Sequence, residues 1–407
     1  MAVNALRGFA REAPAPVFAA AGEAMRDRLD LLFTDSRLER VATPRHAAIL
    51  FIAGPMRLED REDLRRLHDQ MPHPRATLLW DAEVGEALGD AERLVTGAHA
   101  VDPSRVVEAA IDRLTLLWRE LVEGERDSEA DLLKDEPANP WEGIGPHGQG
   151  GKGMMGGTPY GRPMAMTADD LRDGLALDAY TARFGPFLPM FPPGLLLEMT
   201  LQGDMIQSAA VLRPPLAQAV DDVESASLLR LARLLDLLGL SALALRARLT
   251  AAGDPSSKAR GSFERAIRWS GAPLAIPPGL GAMGGTDVRA RFLDLVAASD
   301  GRAAARPPVA ADTDHLSSLL PGLEWTEALL LLNSFDNVTL AALAALSDEK
   351  EEEEGGRDEH EGGHMHPKHD HHEHGGHQGQ GDRAGHDGQK SRGEHDGHHH
   401  HGHGGSA

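Results

Sequence analysis

Residues 47–80 read AAILFIAGPMRLEDREDLRRLHDQMPHPRATLLW, and the reading of this stretch decides the fold. Residues 47–53 form a short, nearly all-apolar run, the pattern of a strand covered on both faces. Gly54-Pro55 stops it. A polar helix is expected over residues 58–70, with Leu64, Leu67 and Met71 spaced three or four apart so that they share one face. Pro72 and Pro74 end that helix, and residues 76–80 are a second apolar run. Strand, helix and strand in so short a span predict a parallel βαβ unit. Sites in such sheets form just past the carboxyl ends of the strands, here at Gly54-Pro55-Met56 and at Trp80-Asp81-Ala82-Glu83.

Working outward, residues 44–54 (PRHAAILFIAG) and 64–74 (LRRLHDQMPHP) resemble the small iron–sulfur subunit of respiratory NADH:quinone oxidoreductase and of related membrane-bound nickel–iron hydrogenases. The resemblance spans roughly residues 14–121 and implies a doubly wound, flavodoxin-like sheet. It also implies a four-cysteine cluster site, and there the chain departs, because it contains no cysteine. Ala19 and Ala20 stand at the family's adjacent cysteine pair, ahead of Glu23 and Met25, which fit the pattern. Glu83 stands at the third cysteine, and the fourth falls in a cysteine-free turn near Asp102. Glu83 and His99 are nitrogen and oxygen donors that could ligate a metal, but the soft thiolate shell of an iron–sulfur cluster is missing. Residues 17–32 are expected to be a helix with Phe18, Ala21, Met25, Leu29 and Leu32 on one side.

Beyond this module, residues 121–141 are acidic and proline-bearing and read as a linker. Residues 143–157 (GIGPHGQGGKGMMGG) are glycine-rich, yet Lys152 has Pro146 six residues before it and Gly153 after it, so the phosphate-loop spacing fails. Thr167 is expected to cap a helix over residues 168–174. Residues 195–200 and 205–212 read as a hairpin turned at Gln202-Gly203-Asp204.

Together with FGPFLP at residues 184–189, this piece resembles the N-terminal sheet of the quinone-reductase large subunit. Phe184, Gly185, Pro186, Pro189, Gly194, Gly203 and Asp204 fit that pattern. The two histidines that help form the family's quinone pocket are replaced by Leu188 and by Pro192 or Pro193. One long helix is expected over residues 225–252, stopped by Gly253-Asp254-Pro255, and further helices over 287–298 and 323–346, making a reduced helical bundle.

From Ser347 the composition changes to Gly, His, Asp and Glu without apolar periodicity, which predicts a disordered tail. Its imidazoles at close spacing are candidate zinc or nickel ligands: His360, His364, His366, His369, His371, His372, His374 and His377, then His398, His399, His400, His401 and His403. The expected organisation is therefore an α/β domain over residues 1–124, a linker over 125–160, an α+β sheet and helical domain over 161–346, and the tail.

A formal charge of −22 on 407 residues argues against nucleic acid and against a polybasic anchor on anionic lipid. No uncharged apolar stretch is long enough to span a bilayer, and residues 1–20 make a poor signal peptide, so a cytoplasmic location is expected.

Three functions remain open. The first is a non-catalytic fusion of the two subunit types, peripheral on the cytoplasmic face and docked on an integral ion-translocating membrane partner. This reading expects no cofactor in the folded part. The second is a redox subunit whose cofactors come from partners. The third is a metal-binding protein that works through its tail.

Overall fold

The computed structural model describes residues 8, 10–84, 88–89, 91–94, 103–133, 166–169, 176–218, 223–253, 257–299 and 315–345. The apolar runs around residues 47–80 form the middle of a five-stranded sheet. Its strands are β1 (Ala15–Ala21), β2 (Leu38–Arg40), β3 (Ile49–Ala53), β4 (Ala76–Trp80) and β5 (Glu92–Leu94), all parallel, in the order β2-β1-β3-β4-β5. Every residue of β3 and β4 is buried, as expected of strands covered on both faces.

The pleat divides these residues between two cores. Val17, Ile49, Phe51, Leu78 and Trp80 face helices α1 (Arg26–Leu32) and α3 (Pro103–Glu123), through Leu29, Leu32, Ile111, Leu114 and Leu117. Phe18, Leu50, Ile52 and Leu79 face α2 (Arg61–Asp69) through Leu64. The expected βαβ unit is thus present, α2 being preceded by a 3-10 turn, Leu58–Asp60.

Residues 17–32 are not one helix. The run PVFAAA enters the sheet as β1, with Ala19 paired to Phe51 and Ala20 to Ile52. Alanine favours helices in isolation, but a slot between β2 and β3 buried on both sides overrides that preference. Only residues 26–32 are helical there.

The acidic segment after α3 is partly ordered. Glu129 N–H donates to Arg75 O at 3.1 Å, and Glu129 Oε1 accepts from Thr77 N–H at 2.8 Å. The buried His68 ring lies 2.6 Å from Asp69 Oδ1 and 3.2 Å from Glu129 Oε2, and Asp69 accepts the Leu132 and Leu133 amides. Glu129 and Asp131 therefore bind the α/β layer, while Glu125 and Asp127 are exposed. The glycine-rich stretch 143–157 and the tail from 347 lie outside the described residues.

The second half carries an antiparallel sheet of β6 (Met166–Asp169), β7 (Ala176–Phe184), β8 (Leu196–Gln202) and β9 (Met205–Arg213). The helix expected after Thr167 begins instead as β6. Strands β8 and β9 form the expected hairpin, with Gly203 at φ +62° in the turn.

The single helix expected over residues 225–252 is two, α4 (Val223–Leu237) and α5 (Ser241–Ala252). Gly239 adopts φ +74°, and the Leu240 amide reaches back to Leu235 O at 2.8 Å, closing α4 with a glycine C-cap. Ser225 Oγ donates to Ala251 O, so the two helices fold back side by side. Helices α6 (Ser257–Trp269), α7 (Ala272–Ala275), α8 (Val288–Ala298) and α9 (Leu316–Leu319) follow. The last expected helix is also divided, into α10 (Trp325–Ser334) and α11 (Asn337–Leu343). Asp336 caps α11 by accepting from Val338 and Thr339 amides. Leu195, Leu197, Met199 and Ile206 of the sheet pack with Leu231, Leu235, Phe292, Leu330 and Leu331 in one core. Residues 1–348, both halves together, form one compact unit. No helix among the described residues is long and apolar enough to cross a membrane.

Candidate functional site at the junction of the halves

In a doubly wound sheet the crevice opens where the strand order reverses, here beyond the carboxyl ends of β1 and β3. Gly22 follows β1 and Gly54 follows β3. The Gly22 amide donates to Ala53 O at 2.6 Å, and a Cβ on Gly22 would lie 2.4 Å from Pro55 O, so only glycine fits this approach. The crevice is then closed by the second half of the chain. Ala24, at φ +57°, donates its amide to Ala217 O at 3.0 Å. Gln218 donates to Gly22 O at 3.1 Å and accepts from the Arg26 amide at 3.1 Å.

Around this plug lies a belt of buried ion pairs. Arg233 of α4 is buried and donates to Asp30 at 2.6 Å and to Asp27, both on α1. Arg40 donates to the other oxygen of Asp30 at 2.9 Å. Burial by itself would raise the Asp30 pKa, but Arg233 and then Arg40 outweigh it and hold the carboxyl at about 2. Arg213 of β9 pairs with Asp60 and with Asp63 at 2.7 Å. Asp60 shifts the opposite way: burial raises its pKa against the pull of Arg213, and its Oδ2 is buried without a partner.

The loop after β7 completes the junction. Its Phe187 inserts into the α/β core beside Phe18, Leu50 and Leu64. Met190, at φ +65°, is held through its carbonyl by Asn333 Nδ2 at 2.8 Å. Two cavities flank this loop and share Phe18 and residues 186–189. One, of about 470 Å³, is bounded by Thr43, Arg45, Arg66 and Leu67, and its lining is mainly apolar. The other, of about 30 Å³, is bounded by Ala19, Arg26, Asp30, Arg40 and Arg233.

Ala19 and Ala20, expected beside one another at a vestigial cluster position, are neighbours on a strand and so face opposite sides of the sheet. Ala19 borders the small cavity, while Ala20 is fully buried toward α2. Glu83 is exposed on the loop after β4. His99, Asp102 and the tail histidines lie outside the described residues. Leu188, 37% exposed, borders both cavities, and Pro193 borders the smaller one. Among the described residues no group of three or more His, Asp or Glu side chains is placed to hold a metal ion.

Reading the sequence alone missed Arg26, Asp30, Arg40, Arg213 and Arg233. Arg233 carried one signal, a charge within a leucine-rich helix, but its partner lies 203 residues away. No family model matches the chain, and no curated protein matches it either.

Proposed function

We propose that this chain is a non-catalytic scaffold in which a small-subunit-like module and a large-subunit-like module of the NADH:quinone oxidoreductase and hydrogenase type are fused. In this reading the finer topology is that of a flavodoxin-like domain joined to a cut-down large-subunit sheet and bundle. The scaffold is peripheral and serves an integral, ion-translocating membrane partner. One observation carries the reading: at the sheet's carboxyl edge, where a cofactor would sit, the loop after β1 is hydrogen-bonded by Ala217 and Gln218 of the same chain. A module that blocks its own reaction centre yet keeps a specific junction is better suited to holding partners than to transferring electrons. Ala19 and Ala20 supply only methyl groups there, and Leu188 neither donates nor accepts a hydrogen bond.

The larger cavity favours a second reading, in which a redox partner supplies the cofactors. About 470 Å³ bounded by Phe18, Leu67, Phe187 and Leu188 has the size and apolar lining of a small-molecule pocket.

Gentle detergent extraction from the native cell, followed by purification of the complex, tests the scaffold. A stoichiometric integral membrane partner is expected, and recovery solely as a free monomer overturns the proposal. Anaerobic purification with iron and sulfide analysis and electron paramagnetic resonance separates the two readings. A stoichiometric cluster on the chain alone refutes both. The metal-binding alternative concerns the tail alone. If it holds, zinc or nickel titration shows several weak sites that are lost in a chain ending at Leu346 and weakened below about pH 6, where protons compete for imidazole.

A further inference from the structure

We infer that the small cavity at the junction binds one small monovalent anion, such as a halide or formate, held by the guanidinium of Arg26. Arg26 is only 8% exposed and borders that cavity. Three guanidiniums and one carboxylate bound the space: Arg26, Arg40, Arg233 and Asp30. Arg40 and Arg233 both spend their charge on Asp30, at 2.9 and 2.6 Å, and Arg233 also takes Asp27. Asp30 and Asp27 also attract Arg26, yet three guanidiniums against two carboxylates leave this cluster with one net positive charge. Among the described residues the Arg26 side chain hydrogen-bonds to one neutral acceptor, Asn333 Oδ1, at 2.7 Å. A guanidinium has five N–H donors, so most of those on Arg26 remain to be used.

An uncompensated buried charge is costly and is ordinarily met by a counter-charge. Loss of the proton does not remove this cost at neutral pH. Burial, with Arg233 next, lowers the Arg26 pKa only to about 9, leaving the group cationic. The single net charge favours a monovalent ion over sulfate. A water needs roughly 10–15 Å³ of such volume. About 30 Å³ has room for a halide or a formate-sized carboxylate. The site tethers the halves, because Arg26 lies at the start of α1 and Asn333 on α10.

The test uses the full chain in sodium gluconate, replaced stepwise by sodium chloride at fixed ionic strength. A saturable rise in melting temperature is expected with chloride, bromide and formate, and none with sulfate. Arg26→Gln should weaken the apparent chloride affinity at least tenfold. An equal response in wild type and R26Q overturns the inference, as does a rise with sulfate matching that with chloride. Should R26Q fail to fold, a crystal of the unmodified protein soaked in bromide decides. A peak of anomalous scattering beside the Arg26 guanidinium supports the site, and bromide found only elsewhere on the protein, an adventitious ion only, refutes it.

Discussion

The sheet interior and the junction are both buried, but they are built from opposite materials. The sheet interior is apolar, with Ile49, Phe51, Leu78 and Trp80 packed under two helices and no charge among them. The junction is held by arginines of one half on aspartates of the other: Arg233 on Asp27 and Asp30, and Arg213 on Asp60 and Asp63. Apolar burial is tolerant of how surfaces meet, whereas buried charges accept only the partner that answers them. The sheet therefore supplies stability and the junction supplies register, fixing how the second half sits on the first. The proposed scaffold needs both, and the two should fail differently.

The largest effect is expected in the sheet. Trp80 is fully buried and stacks on Phe51 at 5.9 Å between ring centres. Trp80→Ala should cost about 3–5 kcal/mol, the range for truncating a large buried aromatic, with the loss independent of salt. Urea unfolding at low and high salt measures it, and a cost near 1 kcal/mol would show that the second half carries the fold.

Removing Arg233 should come next. Arg233→Ala removes the hydrogen bonds from α4 to Asp27 and Asp30 and leaves the buried Asp30 with Arg40 as its hydrogen-bonded partner, so a loss of about 3 kcal/mol is expected. Exchanging the whole cluster for apolar residues should cost less than this single change. If R233A and the multiple replacement are equally damaging, the charges set stability rather than register, and the contrast between the two regions fails.

Acid sharpens the contrast further. Asp30 has a folded-state pKa of about 2 against an ordinary value of 3.8. A depressed pKa stabilises fully above the unfolded value and is lost as pH falls through the folded one. Its contribution, about 2 kcal/mol, is therefore complete above about pH 4 and disappears toward pH 2. Asp60 has the opposite sign, because its pKa is raised by burial and its protonation relieves a cost as pH falls. Asp30→Asn should flatten the acid limb of stability against pH, while Asp60→Asn should steepen it. Chemical unfolding at pH 2–7 reads both, and parallel shifts in the two variants would contradict the assigned signs.

These charges were the least legible part of the molecule. The β3-α2-β4 unit could be read because each signal lies within a few residues: an apolar run, Gly54-Pro55, a three-four spacing and Pro72. β1 was misread as helix because alanine-rich segments carry helical propensity, and only its neighbours in the sheet decide otherwise. The break at Gly239 was visible as a glycine but was outweighed by leucines on both sides of it. At the site, Leu188 was singled out only through the resemblance, as a lost quinone-pocket position, while the contacts of Ala217 and Gln218 left no trace in local pattern. Contacts between residues some 200 positions apart have no periodicity to betray them.

The smallest effect on stability belongs to the corner between α6 and α7. Trp269 is 87% exposed and Leu274 82%. They sit five residues apart, at the end of α6 and within α7. A surface tryptophan with so little contact contributes almost nothing to folding, so Trp269→Ser with Leu274→Ser should change unfolding free energy by no more than about 0.5 kcal/mol. Large exposed apolar side chains are costly to keep in water, and aromatic ones are enriched where partners bind. The proposed scaffold requires a docking surface, and this corner offers exposed apolar area for one. The double variant should therefore keep the wild-type melting curve while its recovery with the membrane partner falls severalfold. Unchanged recovery removes this corner from the proposed docking surface. A large drop in melting temperature would instead mean that the corner is packed in solution, and its exposure would have to be reinterpreted as contact with a further part of the chain.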